Sequence, residues 1–190
     1  MGAGVRSRAA DGRSGPLWSW LTPSLLLLGA MAVWGVVRYP RLPDRVPQHI
    51  GADRVDAWTA TSVGAAFVPV FVYAGITVVL AGCAALSARI TPLDEMPAAA
   101  NRWSGAANAM TNRPASAASG RRTARALLLM NVLCGAALLP LCWIQWRTAA
   151  TPEVPVWLLP GTLALFLLGL LPIGVAWWRD AAEKKSARTA

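Results

Sequence analysis

Residues 126–146 read ALLLMNVLCGAALLPLCWIQW, and none of these 21 side chains is ionisable. Wound as an α-helix at 1.5 Å per residue, a run of this length crosses the ~30 Å hydrocarbon core of a bilayer. Three more runs share the property. Residues 14–37, 57–88 and 154–178 also hold no Asp, Glu, Lys, Arg or His. A charge at mid-membrane costs at least ~2.5–3.5 kcal/mol, which is a physical reason for charge-free stretches of helix length. The 18 Lys and Arg, the 9 Asp and Glu and the single His are confined to the segments between. The four runs predict an all-α membrane protein with four transmembrane helices: Leu17–Val37, Val63–Leu86, Ala126–Trp146 and Val154–Trp178.

Working outward from these helices, the chain divides into five parts. Residues 1–16 form a basic tail of Gly, Ser, Ala and Arg, expected to be disordered. Residues 17–86 hold two helices around a Pro-rich loop at 38–60. Residues 87–125 are a connecting loop, 126–178 a second helix pair, and 179–190 a charged tail. Thirteen of the Lys and Arg residues fall in the two tails and the 87–125 loop; five fall in the two other connections. The positive-inside rule therefore puts the N-terminus, the C-terminus and 87–125 in the cytoplasm, and 38–60 outside it. Arg6, Arg8 and Arg13 before an apolar run, with Ala30-Met31-Ala32, also fit a signal peptide. The run continues to Val37, which favours an uncleaved helix.

The net charge of +9 does not point to nucleic acid, because no basic helix is interleaved with stacking aromatics. The excess sets orientation and meets anionic head groups of the lipid bilayer. The Trp residues fit this layout. Trp18, Trp20, Trp58, Trp143, Trp146, Trp157, Trp177 and Trp178 lie near helix ends, as an aromatic belt would. Trp103 alone is far from an expected interface.

Inside the helices, Asn131 and Gln145 are expected to make interhelical hydrogen bonds, and Pro69, Pro140, Pro160 and Pro172 to kink. Gly75 and Gly82, and Gly161 and Gly169, suggest close-packing faces. Cys83, Cys134 and Cys142 read as small apolar fillers, with no disulfide or thiolate metal site. No carboxylate, His or Arg lies at depth, so proton relays, ion sites, haem ligation and intramembrane proteolysis lack their residues. No catalytic residue, cofactor or metal is predicted.

Chemistry is pushed to the 38–58 stretch, RYPRLPDRVPQHIGADRVDAW. It contains the only His, His49, with Asp44, Asp53 and Asp56 nearby. Such a set could bind a divalent cation weakly or form a pH-sensitive ion pair. It could equally cap turns and pack at the head-group surface. A catalytic zinc would call for more His or Cys ligands.

This stretch resembles the bacterial "domain of unknown function 1648" through Leu42, Pro43, Val46, Pro47, His49, Gly51, Asp56 and Trp58. The resemblance extends over roughly Trp20–Ser87 and departs from the family pattern at Ile50-Gly51. That domain is in turn similar to the N-terminal part of SdpI-type immunity proteins. The resemblance implies a non-enzymatic, multi-pass protein of the bacterial plasma membrane, sensor-like, immunity-like or a signalling accessory. Its external loop would engage a peptide or protein partner, and its cytoplasmic segments a regulator. Pro43, Asp44, Pro47, His49, Asp56 and Trp58 are the candidate ligand or partner site. An accessory membrane subunit of a transporter is the alternative. A metal-dependent enzyme at the external loop is the least favoured.

Overall fold

The computed structural model describes residues 17–51, 54–96, 112–148 and 153–189. The N-terminal tail 1–16, Asp53 and Trp103 lie outside the described residues. A 3-10 turn (Leu17–Leu21) leads into α1 (Thr22–Arg38). A hairpin of β1 (Arg45–Ile50) and β2 (Val55–Ala60) follows, then the short α2 (Val63–Ala66), α3 (Val68–Arg89), α4 (Ala117–Gln145) and α5 (Leu158–Thr189). Among the described residues, α1 with its flanking 3-10 turns (Leu17–Arg41), α3, α4 and α5 are the four helical stretches long and apolar enough to cross a membrane. They carry the four charge-free runs.

Two helices outrun their expected limits. α4 starts at Ala117 rather than Ala126, and α5 runs to Thr189 rather than stopping at Trp178. The extension of α4 has a local cause. Ser116 is extended, and its hydroxyl accepts the Ser119 N–H at 3.2 Å, an N-cap set ten residues before the apolar run begins at Ala126. The Ala, Arg, Glu and Lys residues beyond both runs are strong helix formers, so the helices continue past the apolar stretch. Two of the four prolines expected to kink also play another part. Pro140 and Pro172 are inside helices, but Pro69 lies in the first turn of α3 and Pro160 in that of α5. There an N–H is not needed for the helix ladder.

α4 is the central helix. In its most apolar stretch 44% is buried, against 17%, 22% and 11% for α1, α3 and α5, so the other three present most of their surface to lipid. Apolar side chains gain little by leaving lipid for protein, so such helices associate through close packing and hydrogen bonds. The buried face of α4 is accordingly rich in small residues: Gly120, Ala124, Cys134, Gly135 and Ala137. A Cβ on Gly135 would overlap the Tyr73 ring and Leu27. On α1, a Cβ on Gly35 would come within 2.7 Å of both Phe67 and Trp146. The packing faces expected at Gly75 and Gly82 do not form. Neither has an atom within 4 Å of where a Cβ would stand, because α3 turns a different side, with Tyr73, Thr77 and Ala84, toward α4.

The buried polar groups tie helices together as expected. Thr77 Oγ1 donates to Asn131 Oδ1 at 3.2 Å, and Tyr73 OH donates to the Ser24 carbonyl at 3.4 Å. Gln145 Nε2 donates to the Ala65 carbonyl at 3.0 Å. That carbonyl lies four residues before Pro69, which has no N–H to offer it, so Gln145 supplies the donor that proline removes. Trp146 Nε1 serves the neighbouring Ala66 carbonyl at 2.8 Å. Trp146 therefore does not belong to the belt. It is 1% exposed, in edge contact with Trp34 at 5.3 Å between ring centroids. Trp18, Trp20, Trp157, Trp177 and Trp178 are exposed, as belt residues should be.

The helices alternate in direction. The hairpin shares one end with the α4–α5 connection, where Ile50 and Val55 pack on Ile144, Val154 and Leu158. At the opposite end, Leu17 and Leu21 pack on Ala84, Ala124 and Leu128, and the segment before α4 meets the end of α5.

Candidate functional site: a charged hairpin on the helix bundle

The loop expected at 38–60 is an ordered antiparallel hairpin. Its prolines bias the preceding residues to extended backbone, which suits a strand as well as a loop. Pro47 is tolerated because a two-stranded sheet has only edges and because the ladder is irregular beside it. The base is closed by Thr61, whose N–H donates to the Asp44 carbonyl at 2.9 Å and whose hydroxyl donates to the Pro43 carbonyl.

The register decides which side chains meet. Arg45 pairs with Ala60, Val46 with Thr59 and Pro47 with Trp58. The pairing then slips, with His49 opposite Ala57 and Ile50 opposite Val55. The two slips leave Gln48 and Asp56 as extra residues. Bulges re-aim side chains, and here the second one brings Asp56 beside His49. His49 Nδ1 lies 3.2 Å from Asp56 Oδ2, and Arg54 Nε lies 3.5 Å from Asp56 Oδ1. One carboxylate thus meets two basic groups, each through its own oxygen.

Gly51 gives that carboxylate room. A Cβ there would overlap the Asp56 side chain, while the Gly51 N–H closes the turn by donating to the Arg54 carbonyl at 2.8 Å. Gly51 does not have a positive φ, so space rather than backbone freedom calls for glycine.

The cluster is open to solvent: the side chains of His49, Asp56 and Arg54 are 69%, 44% and 80% exposed. Exposed ion pairs contribute about 0–1 kcal/mol, so this one does little to hold the fold. The hairpin is held from beneath instead. Val46 and Pro47 are buried, Ile50 and Val55 pack on the bundle, and Arg38 Nε donates to the Trp146 carbonyl at 3.3 Å.

The six candidate residues do not form one site. His49 and Asp56 meet near the turn. Pro47 and Trp58 face each other across the ladder as framework. Pro43 and Asp44 lie at the base, where they contribute carbonyls; by register the Asp44 side chain is remote from His49. Arg54 and Gly51 complete the cluster and were not among the six. Arg54 had a readable signal, since it stands two residues before Asp56, just ahead of β2, and that spacing puts side chains on one face where the backbone is extended. Among the described residues, no three His, Cys, Asp or Glu side chains come together as a metal site.

No curated protein and no solved structure gives a significant match to the chain. Residues 26–72, from within α1 through the hairpin into α3, match the family model "Domain of unknown function (DUF1648)".

Proposed function

We propose that the chain is a non-enzymatic, multi-pass protein of the bacterial plasma membrane that presents its hairpin on the outer side to a peptide or protein partner. A sensor, an immunity-like protein or a signalling accessory would work this way. The carrying observation is the contrast between a hairpin packed on the helix bundle and the exposed His49–Asp56–Arg54 cluster on it. Placing function-bearing groups on a supported turn limits the entropy lost on binding. The distribution of Lys and Arg supports the orientation, with both termini and 87–125 inside; a regulator would meet the chain there.

Two experiments test this. An Arg41→Cys variant in intact cells should react with a membrane-impermeant maleimide; labelling only after the cells are opened would reverse the orientation. A photo-crosslinking residue at the exposed Gln48 should trap a discrete protein adduct in cells, and His49→Ala or Asp56→Asn should weaken it. No adduct at any hairpin position would contradict partner docking.

A second reading, an accessory subunit of a transporter, draws on α5. Leu159, Leu163, Leu167 and Leu171 along it are all about half exposed or more, a surface that another membrane protein could cover as well as lipid. Co-purification of a stoichiometric ATPase or permease from mild detergent would favour it over the first.

A further inference from the structure

At the end opposite the hairpin, α3, the segment before α4, α4 itself and α5 enclose an open cavity of about 560 Å³. That lies within the roughly 300–1,000 Å³ of small-ligand sites. Leu86, Ile90, Ile173 and Trp177 make its apolar wall, and Arg89 and Asp180 bring charge to it.

The two charges have different standing. Asp180 is occupied. Its carboxylate accepts the Ala115 N–H at 2.7 Å and the Ser119 hydroxyl, and it pairs with Lys184 Nζ at 2.6 Å. Arg89 is exposed and has no ion pair or hydrogen bond among the described residues. Asp94 and Glu95 lie on the following turn and do not line the cavity. Among the described residues that line the cavity, Arg89 is therefore the charge left without a partner.

Its depth in the bilayer follows from sequence. Arg89 is the first ionisable residue after the charge-free run of α3, and Trp177 sits two residues before Arg179, the first after that of α5. Both stand at head-group level, where indole rings prefer to lie. Trp177 is 65% exposed, so the mouth opens toward lipid as well as water. A ligand suited to this place has an anionic group for Arg89 and an apolar chain for the wall.

We infer that the cavity binds the head group of an anionic phospholipid, its phosphate on Arg89 and its acyl chain leaving over Ile173 and Trp177. The phosphate–guanidinium contact is charge-assisted, and Arg matches phosphate with paired donors.

The test is native mass spectrometry of the full-length chain in mild detergent, with phosphatidylglycerol and phosphatidylcholine of identical acyl chains added in equal amounts. Phosphatidylglycerol should be retained about tenfold more strongly, because the choline ammonium of phosphatidylcholine offsets the phosphate charge that Arg89 meets. Arg89→Gln should abolish that preference and Arg89→Lys should keep part of it. Arg179→Gln, outside the cavity lining, should leave it unchanged. Unchanged thermal midpoints would show the variants folded. Three results would each overturn the assignment: equal retention of both lipids, an equal loss in Arg179→Gln, or displacement of the lipid by inorganic phosphate at matched concentration.

Discussion

The two ends of the bundle use charge in opposite ways. At the hairpin end, His49, Arg54 and Asp56 meet on an exposed turn, where among the described residues their ion pairs run only among themselves. At the far end, Asp180 and Glu183 reach from α5 to the start of α4. Asp180 takes hydrogen bonds from Ala115 and Ser119, and Glu183 takes them from Ser116 and Arg122. The first cluster spans seven residues of sequence and the second more than sixty. A long-range ionic network fixes one helix against another; a local, solvated one leaves its groups free for something outside the chain. The difference teaches that charge marks architecture at one end of this protein and availability at the other.

The largest effect should come from the aromatic support beneath the hairpin. Trp146→Ala removes a fully buried ring and the donor to Ala66, and should cost about 3 kcal/mol in detergent unfolding. Trp146→Phe should cost less, since it keeps most of the packing. A negligible change in Trp146→Ala would mean that the hairpin end is not held by its buried side chains.

Asp180→Asn comes next, with an expected loss of about 2 kcal/mol, since Ser119, Ala115 and Lys184 all lose a charged acceptor. Burial acts to raise the Asp180 carboxyl, but the hydrogen bonds from Ala115, Lys184 and Ser119 and the Lys184 charge outweigh it, holding it below its ordinary 3.8. A carboxyl lowered on folding stabilises the protein above its ordinary value and loses that contribution as pH falls through the lowered one. The wild-type protein should therefore lose stability as pH drops below about 4, and Asp180→Asn should flatten that acid limb. An unaltered acid limb would detach Asp180 from helix clamping.

Gly51→Ala should cost about 1 kcal/mol or less while displacing Asp56 from His49. Its signature is a weaker Gln48 adduct with little change in unfolding. The smallest stability effect belongs to His49→Ala and Asp56→Asn, each within about 0.5 kcal/mol of wild type. A loss comparable to that of Asp180→Asn would erase the contrast between the two ends.

The four helices were legible because exclusion of charge from lipid acts on each residue separately and leaves its mark in any window. The hairpin was less so. Pro40, Pro43 and Pro47 argue against helix, but a strand is made by its partner, and no local pattern announces that Pro47 will face Trp58. Asp56 was singled out with His49, and the bulge brings these two side chains together, whereas Asp44 was grouped with them by sequence distance, which the bulged register does not respect. Gln145 was recognised as a bonding group, but its acceptor depends on Pro69, far away in sequence. The Asp180 network was hidden for the same reason: its partners Ala115 and Ser119 are ordinary residues until α5 is laid against α4.

The most direct test of this contrast is photo-crosslinking from Gln48 in living cells, run in wild type, Asp56→Asn and Asp180→Asn at matched protein levels. A discrete adduct lost in Asp56→Asn and retained in Asp180→Asn is the predicted result. Retention in Asp56→Asn, or equal loss in both variants, would contradict the assignment of the hairpin charges to a partner.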